Sequence, residues 1–250
     1  MPYPSVSVII PVLHDAELLT ALIAELTRFG HSIEVVVANG DVADRALNPV
    51  RRANSEIRWV DSPPGRSLQL NAGARVASGT WLLFLHADTQ PGSRWRDEIR
   101  RAADVGAVGG CYRLELDSPC WQARLIELGV RCRVRCLGVA YGDQGIFIRR
   151  DVFEALGGYR LLPLMEDADL VRRMRRQGRF WRARVGVRVS ARRWERDGWW
   201  RRTFGNLRIL LLYLLGRAPE HLAASYPAWD RLNQTIGESK WQPSSRVEPD

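Results

Sequence analysis

Trp81-Leu82-Leu83-Phe84-Leu85-His86-Ala87-Asp88-Thr89 decides how the rest of the chain is read. It is an apolar, partly aromatic run, entered from Gly79-Thr80 and left through Pro91-Gly92. A run without charge suits a strand buried on both faces of a parallel sheet. It stops on His86 and Asp88, and in open α/β sheets ligands lie beyond the carboxyl ends of the strands. At positions i and i+2 the imidazole and the carboxylate point the same way. They are candidate ligands for a divalent metal, against the plainer reading of a polar turn that closes a strand.

Towards the N-terminus the pattern is a βαβ unit. Val6-Ser7-Val8-Ile9-Ile10-Pro11 is a strand signal. Leu18, Leu19, Leu22, Ile23 and Leu26 then recur at helical spacing behind a capping Asp15, with Gly30 as the stop and a second strand over 33–38. Such a crossover is right-handed. A third short strand over 57–60 leads through Asp61-Ser62-Pro63-Pro64-Gly65-Arg66 to a helix capped by Ser67. That helix is rich in small residues (Ala72, Gly73, Ala74, Ala77), which let its backbone approach the sheet. Arg66 stands at the loop-to-helix junction, where a helix N-terminus can help it meet a phosphate.

Towards the C-terminus the spacing predicts a polar helix over 93–103, extended chain over 105–116 and a helix over 120–137. Trp121, Leu125, Leu128 and Cys132 lie near one face of the last. Tyr141-Gly142-Asp143-Gln144-Gly145 precedes a strand over 146–148, and its glycines let backbone and side chains approach a ligand. Asp151 opens a short helix that ends at Gly157-Gly158. Glu166-Asp167-Ala168-Asp169 then places three acids at a helix start. The helix dipole alone accounts for acids there. Alternatively one is a general base, its pKa raised by the apolar neighbours Leu164 and Met165. A last strand spans 180–189.

Beyond residue 190 tryptophans and arginines surround Ile209-Leu210-Leu211-Leu212-Tyr213-Leu214-Leu215. This run is far below the roughly 20 residues a spanning helix needs. Its Trp and Arg flanks fit an interfacial helix over 199–216, against packing on the main domain or on a partner chain. The organisation expected is a domain over 1–190, a helical extension over 191–237 and a disordered tail over 238–250.

Composition bounds the function. A hydrophobic fraction of 46% and a charged fraction of 26% are those of an ordinary soluble protein. The net charge is +9, and all but one of the 37 basic residues are arginine, which favours anionic substrates or lipid headgroups. No nucleic-acid reader motif is present. The N-terminus has no signal-peptide pattern, and the four cysteines have no paired zinc spacing, so a reducing, cytoplasmic setting is expected. Cys132 and Cys136, four apart, read as helix packing.

Ser7 to Pro11, Glu34 to Asp44, Gly65-Arg66 through Gly73, Phe84 to Thr89, Gly142 to Gly145 and Glu166-Asp167 occur in one order and pitch. In this the chain resembles a family 2 glycosyltransferase of the GT-A fold, over about residues 5–190. It looks most like a small bacterial branch whose metal motif is His-Ala-Asp. The resemblance implies a Rossmann-like mixed, mainly parallel sheet flanked by helices, with a C-terminal helical extension. It implies a nucleotide-diphospho-sugar donor, UDP-sugar by default, and Mg or Mn on Asp88 with His86 in place of the usual first aspartate. Imidazole shifts the preference towards Mn. Asp167 falls on the base of inverting members, beside Glu166 and Asp169. Pro11, Asn39, Gly40, Arg66 and Asn71 fall in nucleotide-contacting segments. Asp143, Gln144 and Gly158 lie towards the acceptor, an hydroxyl or a lipid phosphate.

Two departures stand out. Leu13-His14-Asp15 replaces the family's aromatic residue and Asn-Glu, and Asn39 replaces its base-reading aspartate. An amide oxygen still hydrogen-bonds an imide, so uridine is the default and guanosine or thymidine stays open. If the C-terminal helix meets a membrane at its cytoplasmic face, a lipid acceptor follows; a homodimer is also open. A sugar nucleotidyltransferase of similar fold needs a glycine-rich loop after the first strand, and Pro11-Val12-Leu13-His14-Asp15 is not one. A non-catalytic nucleotide-binding protein would need neither Asp88 nor Asp167.

Overall fold

The computed structural model describes residues 3–29 and 33–224. The helix stop expected at Gly30, and the part of the extension and tail beyond 224, lie outside the described residues. β1 (Val6–Val12), α1 (Ala16–Thr27) and β2 (Glu34–Asn39) form the first crossover, followed by α2 (Leu47–Ala53) and β3 (Arg58–Asp61). α3 (Arg66–Val76) returns to β4 (Trp81–Phe84), and a turn leads into the short β5 (Thr89–Pro91). Next come α4 (Trp95–Asp104), β6 (Gly109–Asp117), α5 (Trp121–Cys136), β7 (Ile146–Arg149) and α6 (Arg150–Ala155). α7 (Glu166–Gln177), β8 (Phe180–Ser190), α8 (Arg192–Asp197), α9 (Trp199–Leu214) and α10 (Pro219–Ala224) end the described chain.

All the strands form one sheet in the order β3-β2-β1-β4-β7-β6-β8-β5. β1 is parallel to β2 and β4, β2 to β3, and β6 to β8, while β7 is antiparallel to both β4 and β6. β4 is buried at every residue, as its apolar run requires, but one of its two neighbours is antiparallel. The chain leaves β4 at Phe84 and by Thr89 is pairing with β8 at the far edge. On a flat sheet that is four strand spacings, about 19 Å. Five peptide steps extended to the limit reach only about 18 Å, and this link contains a turn. The sheet therefore curls, and the curl carries the end of β8 over the His86–Asp88 turn, where Ser190 N meets Asp88 O at 3.4 Å.

Each face of the sheet has its own core. Leu19, Leu22 and Leu26 of α1 and Trp95 and Ile99 of α4 pack on one side of β1, β2 and β4. Leu70 and Ala74 of α3, Phe153, and Leu170 and Met174 of α7 pack on the other. The small residues of α3 have the expected use: a Cβ on Gly73 would stand 2.5 Å from Ile9 Cγ2, so only glycine lets the helix lie this close.

Several local expectations are corrected. Asp15 occupies the N-cap position of α1 but makes no capping hydrogen bond; its carboxylate faces Arg192 at 3.5 Å. Ser67 is inside α3, which begins at Arg66 after Gly65 with φ 138°. Cys132 and Cys136 are exposed rather than packed, because α5 buries the opposite face through Ala123, Ile126 and Val134. Packing on the main domain, the alternative to an interfacial helix, is present on one side of the C-terminal helix and corrects nothing: α9 rests on the domain through Ile209 and Leu210, which pack with Met165 and Ala168 at the start of α7.

Candidate active site

A cleft of about 140 Å³ opens where β4, α3, α7 and the C-terminal helices meet. Arg66, His86, Asp88, Asp143, Glu166 and Asp167 all line it, brought together from four separate parts of the chain. α8 and α9 close the other side with Arg193, Trp194, Arg202, Asn206 and Ile209.

The geometry around Asp167 is set by its neighbours. α7 starts from Met165, whose φ of 67° is the one positive value at a non-glycine residue among those described. A left-handed backbone at such a residue costs about 1–3 kcal/mol and persists only where packing imposes it. Here the packing is that of Met165 with Ile209 and Leu210, and it turns Glu166 and Asp167 inwards. Glu166 Oε1 lies 3.3 Å from Arg66 Nη1 and balances that guanidinium. Asp167 Oδ2 accepts a hydrogen bond from Gly142 N at 2.8 Å, while Asp167 Oδ1 is buried with no partner. Burial, and then the charge of Glu166, push the Asp167 carboxyl up to about 7. Tyr159, absent from the sequence reading, stands beside it; burial and the Asp167 and Glu166 charges keep its phenol well above the ordinary range.

Gly142, legible in sequence as a glycine that leaves room for a ligand, has a closer duty in the structure. A Cβ there would come within 2.5 Å of His86 Nε2 and 2.6 Å of Asp167 Oδ2. The imidazole and the candidate base therefore face each other across a space only glycine leaves open. Gly142→Ala is expected to lower turnover about tenfold or more by displacing either group, since misplacement of about 1 Å costs that much or more. Circular dichroism should remain native, and full activity in a folded variant would count against this geometry.

His86 and Asp88 follow β4 as proposed. Burial, and then the charges of Arg66 and Arg193, hold the His86 imidazole well below its usual pKa, so it stays neutral with a lone pair to offer. Asp88 Oδ2 is paired with Arg193 Nη2 at 3.1 Å. Among the described residues no group of three or more His, Cys, Asp or Glu side chains is arranged to hold a metal. Two donors suit a divalent ion that takes its remaining ligands from substrate phosphates and water. The unpartnered Asp143 Oδ1 and Asp167 Oδ1, both enclosed at the cleft, add negative potential there. The donor set fits such an ion. Enclosure also raises the Asp143 pKa, with Arg133 opposing.

Other candidate residues lie outside the cleft. Asp169, two residues from Asp167, faces the other way: its oxygens meet Arg173 Nε at 2.7 Å, Arg172 at 3.3 Å and Arg160 at 3.4 Å. It is a structural anchor, not a free base. Asp169→Ala strands the nearly buried Arg173, and breaking such a pair costs about 3–5 kcal/mol. The expected fall in Tm is about 10 °C, read by differential scanning calorimetry. Asn71 spends its amide on the backbone of Tyr159, donating to O at 2.8 Å and accepting from N at 2.9 Å. Gln144 accepts from Arg133 at 2.8 Å and donates to Tyr112 O at 3.2 Å. Gly158 O accepts from Arg173 at 2.8 Å. Polar residues flanked by glycines look available in a sequence, and here they brace the loops behind the cleft.

Pro11, Asn39 and Gly40 form a separate group at the ends of β1 and β2. Asn39 Nδ2 donates to Asp61 Oδ1 at 3.2 Å and its Oδ1 accepts from Asp41 N at 3.0 Å. Gln69 ties the two strand ends together, donating to Val12 O at 2.7 Å and Ala38 O at 3.0 Å, and its side chain fills the space beside Gly40.

Residues 7–118 match the family described as Glycosyl transferase family 2. A probable glycosyltransferase of Bacillus subtilis, YdaM, is 24% identical over 247 residues, covering 84% of this chain. The chain spans 57% of that relative's length. Among solved structures, the mannosyltransferase PcManGT of Pyrobaculum calidifontis, in complex with GDP-Man and Mn2+, superposes with a TM-score of 0.64 at 17% identity. The match covers 95% of this chain and 77% of that one. Staphylococcus aureus TarS (residues 1–349) gives 0.57 at 14% identity, covering 94% and 72%. Glucosyl-3-phosphoglycerate synthase of Mycobacterium tuberculosis, with Mn2+, UDP and glucosyl-3-phosphoglycerate, gives 0.52 at 15% identity, covering 75% and 70%. The mixed, mostly parallel curled sheet flanked by helices is the GT-A fold. By the matched segment, residues 7–118 are similar to the family 2 glycosyltransferases, and the fold of the described residues is the one that these solved glycosyltransferases share.

Proposed function

We propose that this protein transfers a sugar from a nucleotide-diphospho-sugar, UDP-sugar by default, to an acceptor hydroxyl or lipid phosphate with inversion at the anomeric carbon. The observation that carries the reading is that an enclosed carboxylate with a free oxygen, Asp167 Oδ1, shares one cleft with the guanidinium groups of Arg66 and Arg193. Asp167, ionised above its raised pKa, accepts the proton of the acceptor hydroxyl as that oxygen attacks the anomeric carbon. The bond from that carbon to the phosphate oxygen breaks, and the electron pair leaves with the nucleoside diphosphate. Arg66 and Arg193 face the charge that develops there. His86 and Asp88 would hold Mg or Mn, which when bound supplies further neutralisation of the diphosphate. Structural relatives with Mn2+ and with GDP-Man or UDP support the donor class and the ion.

The test is a panel of nucleotide-sugars with Mn, read by release of nucleoside diphosphate. One donor turned over well above the rest supports the reading, and no release from any donor, with or without simple sugar acceptors, counts against it. Arg193 gives a separate expectation. Arg193→Ala frees Asp88, so Mn should bind more tightly in the absence of nucleotide. Nucleoside diphosphate should bind about tenfold more weakly, for want of a charge-assisted contact. Calorimetric titration of each ligand should show these opposite signs, and shifts in the same direction would remove Arg193 from the phosphate side.

A further inference from the structure

α9 has two faces with different duties. Arg202, Asn206 and Ile209 point into the cleft. On the opposite side Trp200, Phe204, Leu207, Leu211, Leu214 and, just past the helix end, Leu215 recur at helical spacing and are 43–73% exposed. Such a stripe normally faces a core. Here it faces outwards and is continued by a second helix. Trp121, Leu125 and Leu128 of α5 are exposed at the same spacing, and the Trp121 and Trp200 rings meet with centroids 5.8 Å apart. Two neighbouring helices thus present one apolar surface, larger than scattered surface leucines produce.

The charge beside this surface is of one sign. Arg201 and Arg208 flank the α9 stripe, and Arg131 and Arg135 flank that of α5. All are exposed, and none has an ion-pair partner among the described residues. No described helix is long and apolar enough to cross a membrane, and α9 has 16 residues. Apolar faces with tryptophans at one end and unpaired arginines along the side match a helix pair lying in the plane of an anionic bilayer surface.

We propose that α5 and α9 together form a docking face for anionic membrane, seated in the headgroup region through Trp121, Trp200, Phe204 and Leu211. Because the far side of α9 lines the cleft, docking brings the cleft to about one helix diameter from the lipid. On the sugar-transfer reading, the acceptor is then a lipid-borne group; the docking itself does not depend on that reading.

The test is flotation of the full chain with phosphatidylcholine vesicles, with and without about 30% phosphatidylglycerol. Binding to the anionic vesicles is expected, weaker by about tenfold or more on neutral ones and falling with salt. Leu207→Glu with Leu211→Glu should reduce it at least tenfold while Tm and nucleoside-diphosphate affinity stay unchanged. Arg201→Gln with Arg208→Gln should weaken binding to anionic vesicles about fivefold per arginine and leave the neutral-vesicle level unchanged. A chain that does not float with anionic vesicles overturns the proposal. So does a concentration-dependent dimer in light scattering that the double glutamate variant dissociates, which would assign the face to a second copy. Loss of nucleotide binding in the wild type, with vesicle binding kept, would overturn the transfer reading alone.

Discussion

Asp167→Asn is expected to lower sugar transfer about 1,000-fold, the range of a lost general base, while nucleoside-diphosphate affinity stays within about twofold. The amide has nearly the volume of the carboxyl, and its oxygen still accepts from Gly142 N, so the cleft keeps its shape. Only the capacity to take a proton is lost. Because the native carboxyl titrates near the value of about 7 to which burial raises it, wild-type transfer should rise with pH through that region.

Stability should report the same group with the opposite trend. A carboxyl raised from 3.8 to about 7 binds its proton more tightly folded than unfolded. Its contribution is therefore most favourable below the unfolded value, declines as pH rises between the two, and is flat above. Asparagine carries no such penalty, so the variant should match the wild type near pH 4 and exceed its Tm near pH 8. Transfer kept within tenfold of wild type, or a wild-type profile flat across neutral pH, would exclude Asp167 as the base.

Asp88→Ala should abolish the Mn-dependent part of nucleoside-diphosphate binding and cut transfer at least about 100-fold, as loss of one charge-stabilising element in an enclosed site does. Metal-independent binding should persist, because Arg66 remains in place and Arg193 is released from its 3.1 Å contact. Titration with and without Mn, together with the paramagnetic signal of unbound Mn, separates the two contributions. An unchanged Mn dependence would mean that the ion, if it binds, sits elsewhere.

These two carboxylates also show what is visible along the chain: both were singled out in sequence, and both line the cleft. His86-Ala87-Asp88 after an apolar run and Glu166-Asp167 at a helix start are both visible in sequence, because strand endings and helix N-termini are short-range patterns. The sheet's strands were legible for the same reason, apart from β5, whose three residues carry no periodicity. Tyr159 was not, and of Gly142 only its smallness was, since the place of each beside Asp167 rests on contacts with residues distant in the chain.

What the sequence determined by itself is therefore the succession of strands and helices, the GT-A resemblance and the two motifs that end at the cleft. Apolar periodicity, turn residues and helix-start acids act over a few residues and need no partner to be read. Tertiary structure alone decided which acid is free. Asp167 and Asp169 are nearly identical by pattern, yet the arginines at 160, 172 and 173 neutralise one while Gly142 leaves the other open to the cleft. It also decided that the apolar faces of α5 and α9 look outwards, because each helix already buries its other side against the sheet and α7. Both outcomes depend on groups far apart in sequence, and charge balance and burial are settled only once the chain has brought them together.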